Sequence, residues 1–146
     1  MAVIALRCAW VLAALAMVAS ADQPQETLAV VHHLAAALTN GNPADAIADF
    51  DKSFKDYAKV RDYFSALTDS FQLANEADLV DEQDEQDATV LNLRWTLSTM
   101  DSNNVTRRHT EQVRVKLKQI KDSWKIVEFT PIDLFNPIQS SARNSS

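Results

Sequence analysis

The stretch LNLRWTLS, residues 91–98, alternates without a break, with Leu91, Leu93, Trp95 and Leu97 on one side and Asn92, Arg94, Thr96 and Ser98 on the other. A period of two with apolar residues on one side only predicts a strand that buries one face and wets the other. The same pattern extends in both directions. Downstream, a turn at Asp101-Ser102-Asn103-Asn104 leads to a strand from about Val105 to Ile120, in which Val113, Val115 and Leu117 oppose Arg114, Lys116 and Lys118. A tight turn at Lys121-Asp122-Ser123 then opens a last strand, Trp124 to Thr130. Upstream, Phe71, Leu73, Asn75, Ala77 and Leu79 alternate with polar residues until an acidic stretch interrupts them. Short turns between consecutive strands predict antiparallel hairpins.

Before Thr68 the period is 3.6. From Pro24 to Thr39, Leu28, Val31, Leu34, Ala35 and Leu38 recur every three or four residues and share one helical face. Asn40-Gly41-Asn42-Pro43 ends that helix, with Gly41, the single glycine of the chain, suited to the left-handed position beyond a helix end. Asn42 then caps a short second helix with Pro43 at its first position, running through Ala46, Ile47 and Phe50. A third begins near Asp56 and places Tyr57, Val60, Phe64 and Leu67 on one face with Tyr63 beside them. Helices first and a strand meander afterwards define a segregated α+β layout, helices packed on one face of a curved antiparallel sheet.

The N-terminus reads differently. Arg7 precedes an apolar run from Cys8 to Val18, and Ala19-Ser20-Ala21 supplies the small residues of a cleavage site. This is the layout of a secretory signal over residues 1–21, and its apolar run is shorter than the roughly 20 residues needed to span a bilayer. Export to the periplasm or the extracellular space follows, with no membrane attachment after cleavage. Removing residues 1–21 from the 146 leaves 125, one domain at 22–138 and a Ser/Asn-rich tail at 139–146 expected to be disordered. Cys8 leaves with the signal, so the mature chain has no disulfide, thiolate nucleophile or Cys-based zinc site. The net charge of −6 becomes −7 without Arg7, which gives no electrostatic reason to bind nucleic acid or anionic lipid.

Three strings, LTNGNPADAIADFDKSFKDY (38–57), LRWTL (93–97) and SWKIVEFTPIDLFNP (123–137), carry a family likeness. Across roughly residues 25–137 the chain resembles the nuclear transport factor 2-like superfamily, which includes ketosteroid isomerases and polyketide cyclases, and within it a bacterial exported branch. The resemblance implies a cystatin-like cone with a cavity between helices and sheet, and a homodimer formed through the exposed sheet face. It also implies a fold that hosts enzymes, binders and accessory subunits alike.

Strand parity nominates the lining of such a cavity: Leu91, Leu93, Trp95 and Leu97, then Val113, Val115 and Leu117, with Tyr57, Tyr63 and Phe64 from the third helix. These residues read either as an apolar ligand pocket or as a filled core. Enzymes of the superfamily need a proton-transfer group in the cavity. Here Arg107, His109 and Glu111 share the inward parity of Val113, which makes His109 the one candidate general base. His32-His33 suggests metal, but adjacent helical residues point about 100° apart, and surface histidines are the simpler reading. The segment DEQDEQDATVLN, residues 81–92, lacks the glycine and terminal glutamate of a calcium loop, and reads as a solvated hairpin tip facing the basic row Arg114, Lys116 and Lys118. The sequons at Asn104 and Asn144 are discounted for a bacterial chain, and there is no G-x-S-x-G nucleophile motif.

The leading expectation is therefore a non-catalytic exported domain, without cofactor or metal, that binds a small apolar ligand or a protein partner. Two alternatives stand beside it: a cofactor-independent acid–base isomerase, cyclase or dehydratase, and an accessory subunit that uses the sheet as an interface.

Overall fold

The computed structural model of the protein describes residues 26–137; the expected signal sequence, the expected helix start at Pro24 and the tail at 139–146 lie outside them. Helix α1 covers residues 26–39 and buries Val31, Leu34, Ala35 and Leu38. It ends as a Schellman motif. Gly41 takes φ +70°, and the amides of Gly41 and Asn42 bond back to the carbonyls of Leu38 at 3.1 Å and Ala37 at 2.9 Å. Helix α2 is Pro43–Ile47, capped by the Asn42 side chain, which accepts from the Asp45 amide at 3.2 Å. Helix α3 is Tyr57–Ser70 and buries Val60, Phe64 and Leu67.

Four strands follow: β1 Gln72–Asp84, β2 Ala88–Met100, β3 Thr106–Ile120 and β4 Ser123–Thr130. They form one antiparallel sheet in the order β1-β2-β3-β4. Lys121 and Asp122, both at positive φ, make the tight turn into β4, as the twist of a two-residue hairpin loop requires. A short 3₁₀ helix, Ile132–Phe135, crosses back after β4.

Strand β1 departs from expectation. Asp81, Glu82 and Asp84 lie within it rather than at a hairpin tip, and only Glu85, Gln86 and Asp87 form the turn. The physical reason is position. β1 is an edge strand, broken by a register shift between Leu79 and Asp81, and edge strands carry charges that would be costly in the middle of a sheet. The rest of that edge is covered by α1: the Asn75 amide donates to Thr39 Oγ1 at 2.9 Å, and His32 Nε2 donates to the Ala77 carbonyl at 3.3 Å. His32 is thus a closing contact of the sheet edge.

The β4 edge has a cover of its own. Residues 49–51 run parallel to it, with the Ile126 amide donating to the Asp49 carbonyl and the Asp51 amide to the Ile126 carbonyl, both at 2.9 Å.

Candidate functional site

The concave side of the sheet is walled by Leu91, Leu93, Trp95 and Leu97 of β2 and by Val113, Val115 and Leu117 of β3, all 3 % exposed or less. Phe64 of α3 faces them and is fully buried. Of the residues nominated for a pocket, the structure brings Phe64, Leu93, Trp95, Val113 and Val115 into one buried cluster. Tyr57 and Tyr63 pack against its outside, half-buried, and the Lys59 ammonium lies 5.7 Å from the Tyr63 ring centre.

Four aromatic residues that alternation did not nominate occupy the space between these walls. Phe135 packs edge-on against Phe64 at 5.0 Å and Trp95 at 5.5 Å, ring centre to ring centre. Phe129 lies 5.8 Å from Trp95 and 5.2 Å from Phe135. Phe50 bridges to Phe64, Phe129 and Phe54 at 5.6 to 6.2 Å. These are the spacings of favourable aromatic pairs in contact. Phe129 escaped simple parity because β4 shifts register opposite Lys116 and Leu117, which puts Ile126 and Phe129 on the same face. Phe135 escaped because it follows Pro131, outside any strand. Its signal is the apolar string Ile132, Leu134 and Phe135 after a proline.

One polar contact runs into this core: the Trp95 indole N–H donates to Asn75 Oδ1 at 3.0 Å. Among the described residues no buried side-chain nitrogen or oxygen lacks a partner.

His109 does share the inward face, directly across from Leu97 of β2. Its stretch of β3 lies beyond the reach of β4, whose pairing stops at Arg114 and Thr130. There His109 Nε2 contacts Glu111 Oε2 at 2.9 Å, with both side chains about a third exposed. Arg107 reaches Asp101 at 3.3 Å beside them. The Asp101 carboxyl is held below the usual carboxylate range, first by the Val105 amide and then by the Asn103 amide and Arg107. The pair His109–Glu111 could orient an imidazole for proton transfer, but it sits at the rim of the aromatic cluster.

His33 points away from its neighbour His32 and contacts Asp49 at 2.6 Å. The hydrogen bond that His33 donates to Asp49 raises the His33 pKa, while burial raises that of Asp49 against the opposing pull of His33. A raised histidine contributes stability below its unfolded value of about 6.5 and loses it as pH climbs through the folded value. His33 is largely exposed, so the contribution falls in the range of about 0.2–1 kcal/mol for solvated pairs. Urea titrations should show wild type losing that increment between weakly acidic and weakly alkaline pH, whereas His33→Gln stays flat over the same interval. Parallel curves would remove the pair from the stability account.

Among the described residues no group of three or more potential ligands is placed to hold a metal ion. Of the acidic stretch, Glu85 meets the basic row of β3, at 3.1 Å from Lys116 and 3.9 Å from Arg114. A cleft of about 540 Å³ lies between the start of α3 and the β4 edge, lined in part by Phe54, Lys55, Lys59, Val127, Phe129 and Ile132.

No protein-family model matches the chain, and no curated protein matches it in sequence. Solved structures do match. A nuclear transport factor 2-like superfamily protein from Salmonella enterica is 12% identical at a TM-score of 0.60, over 72% of this chain and 86% of that one. A protein of unknown function with a cystatin-like fold from Nostoc punctiforme is 14% identical at 0.57, over 73% and 86%. Aln2 from a Streptomyces species is 9% identical at 0.62, over 74% and 88%. At such identities the likeness is one of fold: the chain has the nuclear transport factor 2-like, cystatin-like α+β fold.

Proposed function

We propose that the protein is an exported, non-catalytic binding domain whose partner is another protein held on its surface. The observation that carries this reading is the filled interior. Trp95, Phe64 and Phe135 are fully buried and Phe129 nearly so, in ring-to-ring contact where a substrate of this fold would sit. The n-region, apolar run and small-residue triplet before residue 22 support export. A second reading, cofactor-independent acid–base chemistry, draws on the 2.9 Å contact between His109 and Glu111. It needs a substrate to bind at the rim, outside the aromatic cluster.

Native mass spectrometry of residues 22–146, purified gently from the host, tests the first reading. The expected spectrum is the bare mass of a monomer or a homodimer. A small molecule carried at near-stoichiometric occupancy would overturn the proposal in favour of a ligand pocket. If that occupancy also depended on His109, measured in His109→Gln, the acid–base reading would take its place.

A further inference from the structure

We infer that the open part of the β4 edge, with the cleft beside it, docks an extended segment of a partner polypeptide by adding it to the sheet. The inference rests on the partner-binding reading and names its surface.

The fold already uses this edge as a template. Residues 49–51 lie along β4 and exchange two 2.9 Å backbone hydrogen bonds with Ile126. The ladder then stops, because Asp51 turns the chain away. Its carboxylate accepts from the amide and hydroxyl of Ser53, and its carbonyl accepts from the Phe54 amide at 3.0 Å. From Val127 to Thr130, no backbone hydrogen bond on the side away from β3 is made to any described residue. Four residues of strand give about 13 Å of template at roughly 3.3 Å per residue.

The cleft of about 540 Å³ runs along this same stretch. The Phe54 and Phe129 side chains, both nearly buried, and half-buried Ile132 give it an apolar floor. Lys55 and Lys59 of the α3 side complete it, and neither has a carboxylate partner among the described residues. Asp56, Glu128 and Asp133 also line the cleft, with Glu128 paired to Arg114 at 3.4 Å, so the cleft does not select a polyanion. The fitting occupant is an extended segment with one apolar side chain for the floor and one acidic side chain for the two ammonium groups. Main-chain bonds supply affinity in this mode, and the side-chain contacts supply specificity.

The test uses a phage-displayed library of random linear peptides, selected against residues 22–146, followed by amide NMR of the complex. Selected peptides should carry an acidic and an apolar residue, should shift the amides of Val127–Thr130, and should protect those that point away from β3. Lys55→Glu combined with Lys59→Glu, both on exposed side chains, should weaken them at least tenfold. Asp56→Trp should block the cleft, and it costs the fold little because Asp56 makes no capping hydrogen bond. Peptides that bind with the β4 amides unmoved, or a library that yields no binder, overturn the edge assignment. Peptides seated elsewhere do so while leaving the partner-binding reading standing, since that reading fails on a co-purifying small molecule instead.

Discussion

Phe135→Ala is expected to cost about 3–5 kcal/mol of folding stability, the range for truncating a large buried aromatic. Phe135 is fully buried although it belongs to no strand and to no long helix. Its ring meets Phe64, Trp95 and Phe129 at once, at 5.0, 5.5 and 5.2 Å, so truncation removes three aromatic pairs together with the transferred area. Collapse to fill the void is hindered because the neighbours come from three elements, α3, β2 and β4, which are tied together by the sheet and its helices. For a domain of this size the loss corresponds to a fall in Tm of about 10–20 °C. Urea and thermal unfolding of the mature chain measure it. A cost below about 1 kcal/mol, the range of ordinary substitutions, would mean that the segment after β4 is not part of the core, and with it would go the filled interior.

Much of the fold was legible because strong periodicity and turn chemistry agree. The alternation over Leu91–Leu97 gives a strand with its core face correctly assigned, and the turn at Lys121-Asp122 appears where two left-handed residues are needed. Gly41 marks the end of α1 for the same conformational reason. The reading failed along β1, where Asp81, Glu82 and Asp84 looked like a turn. Acidic residues argue against a central strand, but an edge strand exposes one side of its backbone and both ends of its side-chain row to water, and periodicity alone does not say which strand is at the edge.

The interior was half legible. Parity placed Leu93, Trp95, Val113 and Val115 on the concave face, and helical spacing added Phe64. What fills the space they enclose came from Phe50 and Phe54 in the connection before α3, from Phe129 beyond a register shift, and from Phe135 beyond a proline. Phe54, Phe129 and Phe135 lie on no unbroken periodic segment, and Phe50, expected on the second helix, lies beyond its end at Ile47. Whether a cone is open depends on just such residues, because walls are built by regular elements and filling is supplied by the irregular ones. Parity placed His109 and Glu111 on one face of β3, whereas their 2.9 Å contact is a property of side-chain packing.

Trp95→Ala carries the sharpest consequence for function. A buried tryptophan cut to alanine should cost about 3–5 kcal/mol when its surroundings are close-packed, and Trp95 has no exposed surface. Part of the loss comes from ring contacts with Phe129 and Phe135, part from the hydrogen bond to Asn75. The two parts separate. Asn75→Leu leaves the indole N–H buried without an acceptor, at about 1–3 kcal/mol, while Trp95→Phe keeps an aromatic ring but no donor. Combining Trp95→Phe with Asn75→Leu removes both ends of the bond. The double variant should therefore cost less than the sum of the singles, by a coupling of about 0.5–3 kcal/mol. Chemical denaturation of wild type and the four variants gives all of these quantities. If Trp95→Ala instead cost little, the wall around the indole would be loose enough to accept a guest. The interior would then be a pocket that the aromatic side chains only line, and the search for this protein's partner would move from polypeptides to small apolar molecules.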